Sequence, residues 1–199
     1  MNLPNKISLA RICMIPVFVL VFFLKELPYN YLIAGVIFLI AALTDFVDGR
    51  IARSRNLVTN LGKFLDPIAD KVLVATAFVL LLAVKEEVFG RLDEATNGIY
   101  ATVAICVCVI LARELIISAF RQIAAASGII MAAEKLGKYK TATQDACIFI
   151  LLISGSISGT AGLVILWIGL ALFFIATVLT IISGISYVVK NKQVLKDKE

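Results

Sequence analysis

The chain has 199 residues, of which 61% are hydrophobic and 17% charged, with a net charge of +5 and no histidine. A soluble domain keeps about a quarter of its residues charged, so this composition excludes an ordinary soluble globule and points to a membrane protein. The missing histidine excludes Ser-His-Asp triads, Cys-His dyads and histidine phosphotransfer, and leaves Asp, Glu, Lys, Tyr or Cys as the general base.

A helix needs about 20 apolar residues to cross the ~30 Å hydrocarbon layer. Six segments are predicted to do so: 8–24, 29–48, 64–84, 99–120, 143–158 and 163–189. The expected fold is an all-α integral membrane protein of six transmembrane helices with both termini cytoplasmic. Residues 1–190 form one membrane domain and 191–199 a Lys-rich cytoplasmic tail. That orientation puts Lys6, Arg11, Arg50, Arg53, Arg55, Lys63, Arg121, Lys135, Lys138, Lys140 and the tail lysines inside, and only Lys25, Lys85 and Arg91 outside, as the positive-inside rule requires. The basic stretches lack interleaved aromatics for stacking bases. Anionic lipid headgroups, not nucleic acid, are therefore the expected partner.

The first segment mimics a signal peptide, with Lys6 and Arg11 ahead of an apolar stretch. Leu27-Pro28-Tyr29-Asn30 offers no small-residue cleavage site, so a retained helix is expected. Cys13, Cys106, Cys108 and Cys147 all lie inside apolar runs and read as small buried hydrophobes, not as a disulfide or zinc framework.

The second and third segments carry the chemistry. Asp45 and Asp48 are i,i+3 on one helix, and Asp66 and Asp70 are i,i+4 on the next. Each pair shares a helix face, with Cβ atoms about 5–6 Å apart. The two helices are joined by a short cytoplasmic link, so their acidic ends meet at one depth. An acidic side chain at the centre of a bilayer costs roughly 2.5–3.5 kcal/mol, and four together repel one another. Ion pairs with Arg50, Arg53, Lys63 or Lys71 would explain a single membrane aspartate. Four at helical spacing, with glycines between them, are better explained by a cation. Oxygen donors without histidine or thiolate favour magnesium, manganese or calcium over zinc. A divalent ion so held can neutralise a diphosphate, Gly49 and Gly62 allow close backbone approach, and Arg53 can fork onto a phosphate. An aspartate not fully engaged by metal can take a proton from an attacking hydroxyl.

The fourth segment contains Arg113, an intramembrane arginine and so functional by default. With Arg121, Lys135 and Lys138 on the same side it suits a dianionic ligand. Arg113 can pair with Glu114 or Asp145 when that ligand is absent. For Arg121 and Lys140, ordinary positive-inside loop charge is an equally good reading. Residues 124–140 read as a mildly amphipathic connection broken by Gly128 and Gly137. Gln144, in the fifth segment, can reach a ligand hydroxyl or simply pack between helices. The sixth segment is overlong and must tilt or continue past the bilayer.

The pattern D-x2-D-G-x2-A-R-x8-G-x3-D-x3-D is met at every fixed position by Asp45, Asp48, Gly49, Ala52, Arg53, Gly62, Asp66 and Asp70. In these residues, and in its six-segment layout, the chain resembles the CDP-alcohol phosphotransferase family. The resemblance implies a homodimer in the cytoplasmic membrane with its active site facing the cytoplasm. It implies two Mg2+ or Mn2+ ions per subunit, with Asp45, Asp48 and Asp66 as ligands and Asp70 as ligand or catalytic base. The CDP-lipid would lie against Asp48, Gly49, Arg53 and Gly62, with Asn5 a further candidate. The runs Leu3–Arg11, Gly62–Lys71, Ala112–Glu114 and Leu136–Thr141 look like those members that join CDP-diacylglycerol to sn-glycerol 3-phosphate. Arg113, Lys135, Lys138 and Arg121 would then bind the acceptor phosphate. Other acceptors, as in cardiolipin synthase or phosphatidylinositol phosphate synthase, are the alternatives within the family. A cation-coupled transporter is the alternative outside it, but the second half of the chain lacks the matching acidic pair expected of one.

Overall fold

The computed structural model describes residues 3–54, 60–126 and 135–192; within these, the side chains at 3–4, 45–54, 60–64, 66, 93–95, 126 and 135 are outside the description. Among the described residues the chain is helical, with no strand. The long helices are Leu3–Phe23 (α1), Asn30–Ser54 (α2), Asn60–Ala83 (α3), Thr96–Ala126 (α5), Lys135–Ser156 (α6) and Gly159–Lys190 (α7). They correspond to the six predicted segments. The short helix Lys85–Phe89 (α4) and a 3-10 helix at Gly90–Ala95 fill the connection between α3 and α5.

By length and apolarity α1, α5 and α7 can each cross a membrane, and α3 can do so with α4 if that pair, bent by 77°, counts as one span. The bend falls where apolar sequence gives way to Lys85-Glu86-Glu87. Over Asn30–Thr44 helix α2 is apolar, about 22 Å of rise; in sequence its remainder carries the aspartates and arginines. Large apolar side chains such as Leu20, Ile105, Leu115 and Ile185 stay well exposed around the bundle, the surface of a helical membrane protein.

Several boundaries differ from expectation. Helix α1 begins at Leu3, α2 runs on to Ser54, α5 runs on to Ala126, and α6 begins at Lys135 and passes straight through Gly137. A helical glycine costs about 1 kcal/mol against alanine, and the packing of α6 on α2 and α7 outweighs it. Gly128 lies outside the described residues. The cysteines also depart from expectation: Cys147 is buried, whereas Cys13 and Cys108 are exposed on the outside of the bundle.

Lipid tails supply little hydrophobic drive between helices, so close packing must hold the bundle. Phe18, Phe22, Phe38, Phe78 and Phe173 are fully buried, with edge or tilted ring contacts such as Phe78–Phe173 at 5.9 Å. Small residues set the close approaches. A Cβ on Gly155 would lie 2.9 Å from the Tyr31 ring, and one on Gly169 would lie 2.8 Å from Leu151.

Specific contacts fix the register of the helices around the aspartates. Asn30 Nδ2 donates to Phe22 O at 2.7 Å, and Arg11 Nε donates to Ala41 O at 3.1 Å. These contacts are eleven residues apart on each helix, so α1 runs antiparallel to α2. Leu32 N donates to Ser156 Oγ at 2.9 Å and Gly35 faces Leu152, so α6 is antiparallel to α2 as well. Counting twelve residues onward from Gly35 and back from Leu152 brings Val47 and Lys140 to one level. The start of α6 therefore lies at the same depth as the aspartates of α2.

Candidate active site

The link 55–59 joins α2 to α3 and can hold their ends no more than about 20 Å apart. Asp48 lies six residues before the end of α2 and Asp66 six residues after the start of α3, each about 9 Å along its helix from the link. Asp45 and Asp70 lie nine and ten residues in, about 14–15 Å from the link. The four carboxylate-bearing positions therefore lie within about 15 Å of the link, measured along their own helices.

The side chains of Asp45, Asp48, Asp66, Arg53 and Lys135 lie outside the described residues, as do those of Arg50 and Lys63. The backbone at Gly49 and Gly62 is helical. Among the described residues no group of three potential metal-binding side chains occurs. The donor chemistry nonetheless fits a hard divalent cation: four carboxylates at helical spacings, with no histidine anywhere in the chain.

Helix α1 turns polar residues inward. Asn5, Ser8 and Arg11 are buried on one side of it. Arg11, only 1% exposed, donates through Nε to Ala41 O and, at 3.3 Å, to Thr44 Oγ1. It is anchored to the α2 turn that immediately precedes Asp45. In the antiparallel register Asn5 falls level with Val47, between Asp45 and Asp48 of α2. Charge-assisted hydrogen bonds contribute about 1.5–3 kcal/mol each. Replacing Arg11 with Met is therefore expected to lower stability by about 2 kcal/mol or more, read as an earlier thermal unfolding midpoint in detergent.

Asp70 is half-buried and opens into a cleft of about 140 Å3 between α3, α5 and α6. Its other polar residues are Lys71, Glu114, Lys140, Thr141 and Gln144, and its walls are apolar. Lys140, 5% exposed, pairs with Glu114 Oε1. The same oxygen accepts from Arg113 Nη1 at 3.1 Å, and Arg113 Nη2 donates to Ser183 Oγ on α7 at 2.9 Å. Gly184 makes room for this arginine, because a Cβ there would lie 3.0 Å from Arg113 Nε. One carboxylate thus holds cations from α5 and α6 together beside Asp70. Of the two partners foreseen for Arg113, Glu114 is the one its guanidinium meets.

Other candidates are placed elsewhere. Lys138 is exposed on α6. Arg121 donates to Tyr187 Oη at 3.0 Å and stacks on that ring at 5.0 Å, beside a small apolar cluster of Ile117, Phe120 and Ala124; it does not line the cleft. Lys140 is the residue that sequence reasoning undervalued. Its signal was the four-residue spacing to Gln144 on what proves to be a continuous helix.

The family model described as CDP-alcohol phosphatidyltransferase matches residues 1–192. This chain belongs to that family. A CDP-alcohol phosphatidyltransferase is a transferase of phospholipid biosynthesis. The chain is 37% identical to a Bacillus subtilis protein over 98% of its own length and 97% of the relative's. It is 39% identical to one from Rickettsia bellii, covering 94% and 93%, and 38% identical to one from Shigella flexneri serotype 5b, covering 99% and 98%. Each of those proteins is named CDP-diacylglycerol–glycerol-3-phosphate 3-phosphatidyltransferase.

Proposed function

We propose that this chain transfers the phosphatidyl group of CDP-diacylglycerol to sn-glycerol 3-phosphate, giving phosphatidylglycerophosphate and CMP. The observation that carries this reading is the cleft lined by both Asp70 of the signature and the buried cation Lys140, with Arg113 joined to Lys140 through Glu114. A carboxylate for a hydroxyl proton and cations for a phosphate are what a phosphorylated alcohol needs.

In this reading Asp45, Asp48, Asp66 and Asp70 would hold Mg2+ or Mn2+, two ions per subunit, and Asn5, Gly49, Arg53 and Gly62 would lie against the CDP-lipid. Bound there, a divalent cation supplies charge neutralisation for the diphosphate and the departing CMP. Asp70 accepts the proton of the acceptor's primary hydroxyl. The hydroxyl oxygen forms a bond to the β-phosphorus, and the bond from that phosphorus to the bridging oxygen breaks, so the electron pair leaves with CMP. Arg113 and Lys140 hold the acceptor phosphate, whereas Arg121, engaged with Tyr187, and the exposed Lys138 do not line the cleft. The chain would span the cytoplasmic membrane six times, with both termini and the active site on the cytoplasmic side, and work as a homodimer. The charge asymmetry of the loops supports that orientation.

The testing experiment is an acceptor panel with purified protein and CDP-diacylglycerol, scored by CMP release. sn-Glycerol 3-phosphate is expected to be strongly preferred over phosphatidylglycerol, serine and inositol phosphate; preference for any of those would reassign the acceptor. Arg113→Ala is expected to raise KM for sn-glycerol 3-phosphate about 10- to 100-fold, the loss of a charged hydrogen bond. KM for the lipid donor should move far less, and the opposite split would take Arg113 out of the acceptor site.

A further inference from the structure

We propose that Gln144 is a specificity-determining residue whose carboxamide hydrogen-bonds the non-reacting secondary hydroxyl of a polyol-phosphate acceptor. The inference rests on the function just proposed and extends it to the acceptor's chemical class, a phosphate monoester carrying two adjacent hydroxyls.

Gln144 is only 2% exposed, yet it borders the cleft beside Lys140 and Thr141. Its Oε1 is buried and has no hydrogen-bond partner among the described residues. The neighbouring polar groups are committed: Lys140 to Glu114, and the Thr141 hydroxyl to Gly137 O at 3.1 Å. A buried amide oxygen left unpaired is costly, and native structures pair most such groups. Here the amide borders a cleft that also holds a proton acceptor and a cation.

Lys140 and Gln144 are i,i+4 on α6, so they share one face a single turn apart. The cleft therefore offers three polar stations: cation at Lys140, neutral amide at Gln144, and carboxylate at Asp70. A glycerol phosphate carries three polar groups, with the secondary hydroxyl between the phosphate and the primary hydroxyl. The phosphate suits the cation, and the hydroxyl that loses its proton suits the carboxylate. A carboxamide both accepts and donates without charge, which suits a hydroxyl that keeps its proton. A site built to bond a substrate hydroxyl rejects the analogue lacking it, because the protein group is then left unpaired.

The test compares kcat/KM for sn-glycerol 3-phosphate and for 3-hydroxypropyl phosphate, its analogue without the secondary hydroxyl, using CDP-diacylglycerol, Mg2+ and CMP release. The wild-type enzyme is expected to favour the natural acceptor by about 10- to 100-fold. Gln144→Leu should lose that factor on sn-glycerol 3-phosphate while its rate with the deoxy acceptor stays within about threefold of wild type. Gln144→Glu, which keeps an oxygen at the same reach, should retain most of the discrimination. The inference is overturned if the wild type does not discriminate, if Gln144→Leu discriminates as the wild type does, or if it loses both acceptors equally, the mark of a packing role. If the wild type releases no CMP with sn-glycerol 3-phosphate, the proposed function itself fails, an outcome distinct from all of these.

Discussion

Removing divalent cations from the purified enzyme with a chelator is expected to bring CMP release down to background, and added Mg2+ or Mn2+ to restore it. The expectation follows from electrostatics. Four aspartates lie within about three helical turns of the α2–α3 link, and a charge in a membrane segment costs up to roughly 2.5–3.5 kcal/mol at the bilayer centre. A bound cation is proposed to offset the repulsion among them. Replacing Asp45, Asp48 or Asp66 with Asn should therefore cost more than about 10²-fold in rate, beyond what loss of an outer-shell partner produces. Stability in the absence of metal should move the other way, since each Asn removes repulsion, as expected where activity is traded against stability. Full turnover in a chelator would remove the cation from the account.

The second large effect is expected at Asp70. A positioned general base contributes about 10²–10⁴-fold in rate, so Asp70→Asn should lose activity on that scale while still binding CDP-diacylglycerol. Asp70 opens onto the cleft with Lys140 and Gln144, where the acceptor's hydroxyl is proposed to lie. A variant that loses donor binding and turnover in proportion would assign Asp70 to the metal alone, and near-normal turnover would remove it from both roles.

The aspartates were legible because their chemistry is periodic. Spacings of three and four place side chains on one face whatever the tertiary context, and two glycines and a short link bring the pairs to one end. The long helices were legible for the same reason, from runs of apolar residues. Helix ends were less so. Gly137 reads as a breaker by propensity, and only packing on α2 and α7 carries α6 through it. That misreading hid the setting of Lys140, which looks like loop charge in sequence and is a buried cation in the bundle. Arg11 is a similar case. Its charge fits a positive-inside pattern, but its bonds to Ala41 O and Thr44 depend on an antiparallel register that no local pattern encodes. The bend after Ala83 left a trace in Lys85-Glu86-Glu87, although its 77° angle did not.

Residues of α2 and α3 are proposed to grip divalent cations together. Titrating the purified protein with Mn2+ and following the free-ion signal by electron paramagnetic resonance tests this without reference to turnover. The wild-type chain is expected to bind two Mn2+ ions, and the combined Asp45→Asn, Asp48→Asn, Asp66→Asn variant to bind neither tightly. Undiminished Mn2+ binding by that variant would contradict the account.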